Sequence, residues 1–395
     1  MVVTGWSYPD AMQGRVYRRD GKKWAYTVDV GVDPMSGRRR QKTKGGFATR
    51  KEAEGALHET IASVHAGTYV PNSKATVGEY LEGWLGSVKS SLRPTTWISY
   101  SLAVQRLSRE IGAVKLQALA PLQVEAAYAA LIDHGGKHGK PLEPKTVRNC
   151  HVVLHRALSD AERLGLVPRN AAHAAKAPSI ARKDMMTWTA EDVGRFLEHV
   201  SKDRLYAAYV LLATTGMRRG EVMGLRWSEV DLKIGRLSVT QSITTMHDRV
   251  FVGPTKTPKS RRNVMLDEHT VAVLRAHRKH QLEEQMAIGR RKAPDALVFC
   301  DVNGSPLHPD RFTDAFQRHV RDSGLPALRG PHSLRHTWAT LALTAGVHPK
   351  VVSDRLGHST IAITLDIYSH VSPALDAAAA ETVARQIFAL TASMV

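Results

Sequence analysis

Two stretches rich in proline and polar residues interrupt the chain and limit how it can fold. Residues 70–74 (VPNSK) and residues 168–186, which combine alanine, proline and basic side chains, are predicted to be linkers. At 395 residues the chain is also too long for one ordinary domain, because single cores seldom grow beyond about 250–300 residues. We therefore predict three domains, at residues 1–66, 75–177 and 185–395.

The first of these domains is predicted to be small and rich in β-strand. Apolar residues alternate with others over residues 24–30, which is the period of two expected for a half-buried strand. A turn follows at residues 33–37, and residues 49–52 (TRKE) match a capping box that opens a helix. A basic sheet of two or three strands with one helix is expected.

The other two domains are predicted to be mainly helical. A second capping box begins at Thr76, and helical spacing recurs at 95–111, 121–132 and 145–164, so four or five helices are expected before residue 177. After an N-cap at Thr189 the pattern stays helical except for one segment with a β-strand pattern. The predicted fold class is therefore multidomain and mainly α: a small β-rich N-terminal domain, an all-α domain, and a mainly α C-terminal domain with a small antiparallel sheet.

The charge of the chain points to a polyanionic partner. The formal net charge is +18, and a 43% hydrophobic content excludes a disordered polycation. Residues 1–50 alone hold 11 Lys/Arg against 4 Asp. A basic strand can enter a DNA groove, although charge also protects a solvated sheet edge. The candidate DNA-binding residues are Arg38, Arg39, Arg40, Lys42 and Lys44, with Arg93, Lys145 and Arg148 in the helical domain.

Cysteine usage and hydropathy suggest a reducing compartment. Only Cys150 and Cys300 are present, which allows neither a disulfide framework nor a thiolate zinc site. The first 14 residues lack a signal-peptide pattern, and the most apolar stretch, residues 205–217, is too short to span a bilayer. We expect no membrane segment and a location in the cytoplasm.

The segment TGMRRGE at residues 215–221 is the first of three motifs that carry chemistry. Gly216 follows an apolar helix and fits a helix-ending position with positive φ. Arg218 then emerges from a tight turn within reach of a phosphate, and Glu221 is close enough to orient it. An arginine after a helix cap is by itself usually a surface residue.

The second motif places His332 and Arg335 three residues apart, directly after Gly330 and Pro331. Proline at the first helical position starts a helix, and the i,i+3 spacing puts both side chains on one face. The helix N-terminus adds a field that favours an anion. The alternative is a histidine that caps or packs within the helix. The pattern is not His-Glu-x-x-His, which argues against a zinc site.

The third motif ends in a tyrosine. A short helix at residues 349–356 is expected to stop at Gly357 and present His358, after which Ser359 caps a helix that reaches Tyr368. Ile361 and Leu365 share a stripe with Tyr368, so that taken by itself this tyrosine is better explained as a core aromatic. Arginines that clamp phosphate, histidines that move protons and a tyrosine nucleophile are together suited to phosphodiester cleavage without a metal.

Taken in order, the motifs resemble the tyrosine recombinase (phage integrase) family. The matching segments are TGMRRGE, HSLRHT and LGH, with a tyrosine ten residues after His358. Met217 stands where leucine is commoner, a volume-conserving difference. The family's six positions fall on Arg218, Lys256, His332, Arg335, His358 and Tyr368. The assignment of Lys256 is open, because Lys259 lies on the same basic turn.

The resemblance implies a role for each of these residues. Tyr368 would attack the phosphorus and form a 3′-phosphotyrosyl link, Lys256 would protonate the leaving 5′-oxygen, and His332 would handle the tyrosine proton. The remaining residues would hold the phosphate: Arg218 and Arg335 on its non-bridging oxygens, His358 by a further hydrogen bond, and Glu221 in support. Neither a metal, nor ATP, nor any other cofactor is implied.

The resemblance also implies how the whole protein works. The three domains would be an arm-type DNA-binding domain, a core-type DNA-binding domain and a catalytic domain, acting as a homotetramer on double-stranded attachment sites of a phage or mobile element. A directionality factor and a host DNA-bending protein are expected partners, in the cytoplasm and nucleoid of a bacterium. The rival interpretations are a related topoisomerase and a non-enzymatic DNA-binding regulator.

An apolar stripe after the tyrosine has two interpretations. It packs on its own domain, or it is donated to a neighbouring protomer, as the resemblance implies. The stripe consists of Leu375, Ala379, Val383, Ile387 and Leu390.

Overall fold

The structure is a computed structural model, and it describes most of the chain. The described residues are 14–19, 23–32, 37–67, 69–180, 186–246, 249–254, 260–289, 295–358, 360–365, 381, 384, 385, 387 and 388. Chain contacts divide the protein into two compact units, residues 1–182 and 183–395. Their boundary falls inside the stretch predicted as a linker, and the further division of the first unit near residues 66–75 stays a prediction.

A three-stranded antiparallel sheet opens the first unit, as the alternation of apolar residues predicts. Its strands, in the order β1-β2-β3, are β1 (Gly14–Arg19), β2 (Lys23–Val32) and β3 (Arg39–Phe47). Helix α1 (Arg50–His65) starts at the predicted capping box, with Thr49 and Glu52 each bonded to the other's backbone. Tyr26, Val28 and Leu57 form a small core between sheet and helix.

The rest of the first unit is a group of helices around a second hydrophobic core. The helices are α2 (Val77–Val88), α3 (Pro94–Ile111), α4 (Pro121–His134), α5 (Pro144–Arg163) and α6 (Ala171–Ala174). The expectation of an exposed linker from residue 168 onward was wrong in its first part. Asn170 caps α6 through a bond to the Ala172 N–H, and Ala171 and Ala172 are buried in this core.

The second unit is mainly helical and is built around a cluster of aromatic rings. Trp188, Phe196, Tyr209 and Phe316 are all fully buried and contact one another. The helices are α7 (Ala190–His199), α8 (Tyr206–Thr215), α9 (Arg219–Met223), α10 (Glu268–Ala287), α11 (Pro309–Asp322), α12 (His332–Thr344) and α13 (Pro349–Leu356). Helix α7 begins at Thr189, as predicted, through a capping box with Asp192.

The β-strand segment of the second unit forms two small antiparallel sheets within the described residues, whereas one small sheet was predicted. The strands are β4 (Val230–Asp231), β5 (Arg236–Val239), β6 (Gln241–Met246), β7 (Arg249–Pro254) and β8 (Arg262–Met265). One sheet has the order β4-β5-β8, and the other is the hairpin β6-β7. The mainly α, multidomain fold class is confirmed. No helix in the part of the chain that the structure describes is long and apolar enough to cross a membrane.

Candidate active site

A glycine turn after α8 brings the first arginine to the site. Gly216 ends the helix with φ 65° and ψ 18°, the left-handed conformation predicted for it. A Cβ atom there would lie 2.6 Å from Leu356 Cδ2, so glycine also permits the close approach of α13. Arg218 follows in extended conformation as the N-cap residue of α9. Its side chain remains about one-third exposed.

Glu221 lies beneath Arg218 and is almost fully buried. Its two carboxylate oxygens accept four N–H bonds: 2.8 Å from Arg218 Nη1, 2.9 Å from the Arg218 backbone N, and 2.8 and 3.2 Å from the two Nη atoms of Arg262. Burial alone would raise the pKa of this carboxyl. The Arg262 hydrogen bonds and charge, with those of Arg218, outweigh burial and hold the pKa below its usual value.

Arg335 is a buried cation whose hydrogen-bond partners among the described residues are carbonyl groups. It is 2% exposed, and its Nη1 and Nη2 donate to Gly216 O at 2.9 Å and Leu356 O at 2.7 Å. Burial first, and then the charge of Arg218, lower the pKa of its guanidinium to about 9. Among the described residues it forms no ion pair with a carboxylate. An anion placed beside it would therefore be bound strongly.

His332 begins α12 one turn before Arg335, and Pro331 lies at the N-cap position rather than inside the helix. The His332 ring packs edge-on against the His336 ring, with 4.9 Å between the ring centroids. The desolvating protein around it, then the charges of His336, Arg335 and Arg218, lower its pKa to about 4. His332 is exposed to solvent, and because its pKa is lowered the imidazole is neutral near pH 7.

His358 is presented by the glycine that ends α13. Gly357 has φ 66°, and the His358 backbone N–H donates to Ser353 O at 3.0 Å. The ring Nδ1 lies 2.8 Å from the Thr364 hydroxyl, and Nε2 is at the opposite edge of the imidazole. Burial and the charges of Arg335 and Arg218 lower its pKa to about 4.

These elements converge because the two arginines share the turn at the end of α13. Arg218 Nη2 lies 3.4 Å from Gly357 O, next to the Leu356 carbonyl that Arg335 holds. The structure thus brings together five of the predicted site residues: Arg218, Glu221, His332, Arg335 and His358. The other two, Lys256 and Tyr368, lie outside the described residues, as do Lys259 and Ser359.

Three further residues contact this group and were not predicted to act in it. Arg262 pairs with Glu221 from the start of β8, His336 touches His332, and Thr364 bonds to His358. His336 and Thr364 are close in sequence to the histidines they contact, and this proximity is a usable signal. Arg262 lies 41 residues from Glu221, and nothing in the sequence pattern indicates that pairing.

Two of the candidate DNA-binding residues of the sheet, Lys42 and Lys44, share the face that packs against α1. Opposite residues on antiparallel strands point to the same side, and Lys42 and Lys44 lie opposite Val28 and Tyr26, which face α1. The exposed face carries Arg15, Thr27 and Thr43, with the two threonine hydroxyls 2.9 Å apart.

The remaining candidates lie at the sheet edge and on the helices. Arg38, Arg39 and Arg40 are exposed at the start of β3. Arg93 and Lys145 are exposed at the N-termini of α3 and α5, and Arg148 donates to Pro178 O at 3.1 Å.

Comparison with known proteins identifies the same two regions. The sequence model of the phage integrase family matches residues 187–374, and that of an arm DNA-binding domain matches residues 15–64. The integrase of Mycobacterium phage FRAT1 is 30% identical over 319 residues, 80% of this chain and 88% of that protein. A XerC-like tyrosine recombinase of Caldanaerobacter subterraneus subsp. tengcongensis is 27% identical over 388 residues, 93% and 97% of the two chains.

Solved structures with the same fold include two integrases. The Tn1549 transposon integrase in complex with transposon right end DNA has a TM-score of 0.65 at 20% identity, covering 76% of this chain and 98% of its own. A lambda integrase tetramer bound to a Holliday junction has a TM-score of 0.56 at 18% identity, covering 89% and 94%.

Fold, site and sequence similarity together define the class: the chain belongs to the phage integrase family. It is accordingly a tyrosine recombinase, an enzyme of site-specific DNA recombination.

Proposed function

We propose that this recombinase cuts and rejoins DNA through a covalent link between Tyr368 and the 3′-phosphate of the cleaved strand. The observation that carries the proposal is Arg335, a buried guanidinium without a carboxylate partner among the described residues, beside the partly exposed Arg218. Two convergent guanidinium groups match the non-bridging oxygens of a phosphodiester and the extra charge of its pentacoordinate transition state.

The two histidines fit complementary tasks. His332 is neutral near pH 7 and can accept the phenol proton as Tyr368 attacks phosphorus. On His358, a hydroxyl of Thr364 that donates to Nδ1 fixes the proton on Nε2. That Nε2–H then donates to a phosphate oxygen, and Glu221 supports the site by holding Arg218.

The proposed steps balance without an outside energy source. A bond forms between the Tyr368 oxygen and phosphorus, and the bond from phosphorus to the 5′-oxygen breaks. Lys256 gives its proton to that 5′-oxygen, and a 5′-hydroxyl from the partner strand later reverses the sequence. Because the phosphotyrosyl bond replaces a phosphodiester bond, neither ATP nor a metal is required.

For the intact protein we propose integration, and the reverse excision, of a phage or other mobile element at attachment sites. Residues 1–66 would bind arm-type sites, residues 75–177 core-type sites, and residues 185–395 would catalyse. A tetramer supplies four active sites for four strands, and the lambda integrase tetramer on a Holliday junction supports that assembly. A directionality factor and a host DNA-bending protein would set direction, in the bacterial cytoplasm.

The chemistry is tested with a nicked attachment-site DNA that traps the covalent intermediate. Wild-type protein should give a detergent-resistant complex, and Tyr368→Phe should give none because the nucleophile is absent. In the same assay, a 5′-bridging sulfur in place of oxygen leaves without a proton, so it should rescue the variant that lacks the general acid. We expect rescue of Lys256→Ala and little effect on Lys259→Ala.

Two results would defeat this proposal. One is the persistence of the covalent complex in Tyr368→Phe, and the other is its absence with wild-type protein on a substrate that the protein binds. Exchange between two attachment sites, measured separately, distinguishes recombination from simple relaxation of supercoils.

A further inference from the structure

We infer that Arg262 is a positioning residue that keeps Arg218 available for the scissile phosphate. The inference rests on the proposed function, because it concerns the same phosphate site. Arg262 is the first residue of β8, and its side chain is 7% exposed, which is too buried for it to contact DNA directly.

The Arg262 guanidinium joins three parts of the second unit. Its two Nη atoms form a fork on Glu221, at 2.8 and 3.2 Å. Its Nε donates to Arg355 O at 2.6 Å, in the last turn of α13, and its Nη1 also donates to Ser260 O at 3.1 Å. The strand, the buried carboxylate and the helix end are therefore fixed by one side chain.

The four bonds to Glu221 explain why Arg262 matters to Arg218. A carboxylate has about four acceptor positions, and here Arg262 fills two while Arg218 fills the other two with its Nη1 and backbone N–H. Without Arg262, a buried carboxylate would retain two unsatisfied positions. Among the described residues, the other cation bonded to Glu221 is Arg218, which would turn toward Glu221 and away from the phosphate.

The bond to Arg355 O gives Arg262 a second effect on the site. The residues that follow, Leu356 and Gly357, provide the carbonyl groups held by Arg335 and Arg218. A shift of this helix end would move both acceptors and the adjoining His358. A displacement of about 1 Å in such groups can lower a catalytic rate by about 100-fold.

The charge balance points the same way. Three guanidinium groups and one carboxylate, those of Arg218, Arg262, Arg335 and Glu221, leave two net positive charges at the phosphate site. Loss of Arg262 leaves one net positive charge. This loss weakens the stabilisation of the transition state more than it weakens ground-state binding.

The test compares single-turnover cleavage of the nicked attachment-site DNA by full-length variants. Arg262→Met should lower the rate of covalent-complex formation by about 100-fold and leave the Kd for DNA nearly unchanged. Arg262→Lys keeps the charge but loses the forked pair of hydrogen bonds, so its cleavage rate should lie between those of Arg262→Met and the wild type. Arg275→Met is the matched control, because Arg275 also donates to a carbonyl, Leu232 O, and makes no bond to Glu221.

The double variant Arg262→Met with Glu221→Gln separates positioning from general support of the fold. Removing the buried negative charge frees Arg218, so the double variant should cleave about tenfold faster than Arg262→Met alone. A purely structural role predicts losses that add. Wild-type rates in Arg262→Met, or a double variant slower than both single variants, would overturn the inference.

Failure of the proposed function gives a different result, since wild-type protein would then form no covalent complex at all. Thermal melting of each variant shows which proteins are folded at the assay temperature. If Arg262→Met does not fold, the comparison rests on Arg262→Lys with and without Glu221→Gln, for which the same order of rates is expected.

Discussion

At the scale of single residues, the site is organised around cations held before the substrate arrives. Arg335 is buried with carbonyl partners, and Arg218 is partly paired with Glu221. Burying a guanidinium without a full counter-charge is unfavourable, and this is reflected in the lowered pKa of Arg335. In the proposed function a phosphodiester would restore the missing negative charge, so part of the binding energy would come from relieving that unfavourable state.

The same electrostatics predict how the two site histidines titrate. His332 and His358 have pKa values lowered to about 4, so in the free protein both are neutral above pH 5 and become protonated only near pH 4. A bound phosphate stabilises the charged imidazolium, which must raise both pKa values. We expect ¹⁵N-histidine NMR of Tyr368→Phe protein to show these shifts upward on adding attachment-site DNA. Histidines 332 and 358 that already titrate near pH 6.5 without DNA would contradict the proposed arrangement of cations around them.

At the scale of elements, the turn after α8 decides where both arginines lie. Gly216→Ala should destabilise the protein by about 1–3 kcal/mol, because alanine is strained at φ 65° and its Cβ would overlap Leu356. Cleavage should fall as well, since Gly216 O is an acceptor for Arg335. Urea unfolding and the covalent-complex assay measure the two effects.

Gly289→Ala is the matched control for that substitution. Gly289 has φ 70° in the same unit, but an added Cβ meets no atom of the described residues within 4 Å. It should therefore cost about 1 kcal/mol of unfolding free energy and leave cleavage unchanged. Equal stability losses in both variants would show that the contact with α13 is unimportant.

The elements that could be predicted are those whose sequence signals are local. Local signals that act over three or four residues are the capping boxes at Thr49, Thr76 and Thr189 and the helix-ending glycine at position 216. Each of these predictions was confirmed. Strand β6 gives little local signal, because its sequence, QSITTM, has only a weak apolar alternation. Helix α6 was missed because alanine carries little hydrophobic signal even where it is buried.

The candidate site divides in the same way. The motifs placed Arg218, Glu221, His332, Arg335 and His358 in one set, and the structure brings these five together. Arg262 could not be found, because its pairing with Glu221 depends on where β8 lies relative to α9, and side-chain periodicity holds no such information. Long-range pairs of this kind follow from the tertiary fold alone.

At the scale of the whole molecule, positive charge lies on both sides of the domain boundary predicted near residue 75. Residues 1–74 hold 13 Lys/Arg against 7 Asp/Glu, so most of the net charge of +18 lies in the remainder. Both parts are therefore expected to bind DNA, each releasing counterions from the phosphates it contacts. A basic sheet with its own small core and a separate helical core are consistent with independent binding.

This separation predicts the behaviour of a fragment made of residues 75–395. The fragment should cleave nicked core-site DNA at a rate within a few-fold of the full chain, because all the proposed catalytic residues lie after residue 217. Its affinity should fall less steeply with salt, since the slope of log K against log salt scales with the number of phosphates contacted, at about 0.9 per phosphate. Recombination between complete attachment sites should be lost, because arm-type sites would no longer be bound.

Filter binding at several salt concentrations, cleavage and two-site exchange measure the three quantities. A fragment that recombines as efficiently as the full chain would show that the N-terminal sheet is dispensable, and one that cannot cleave would place part of the active site upstream of residue 75.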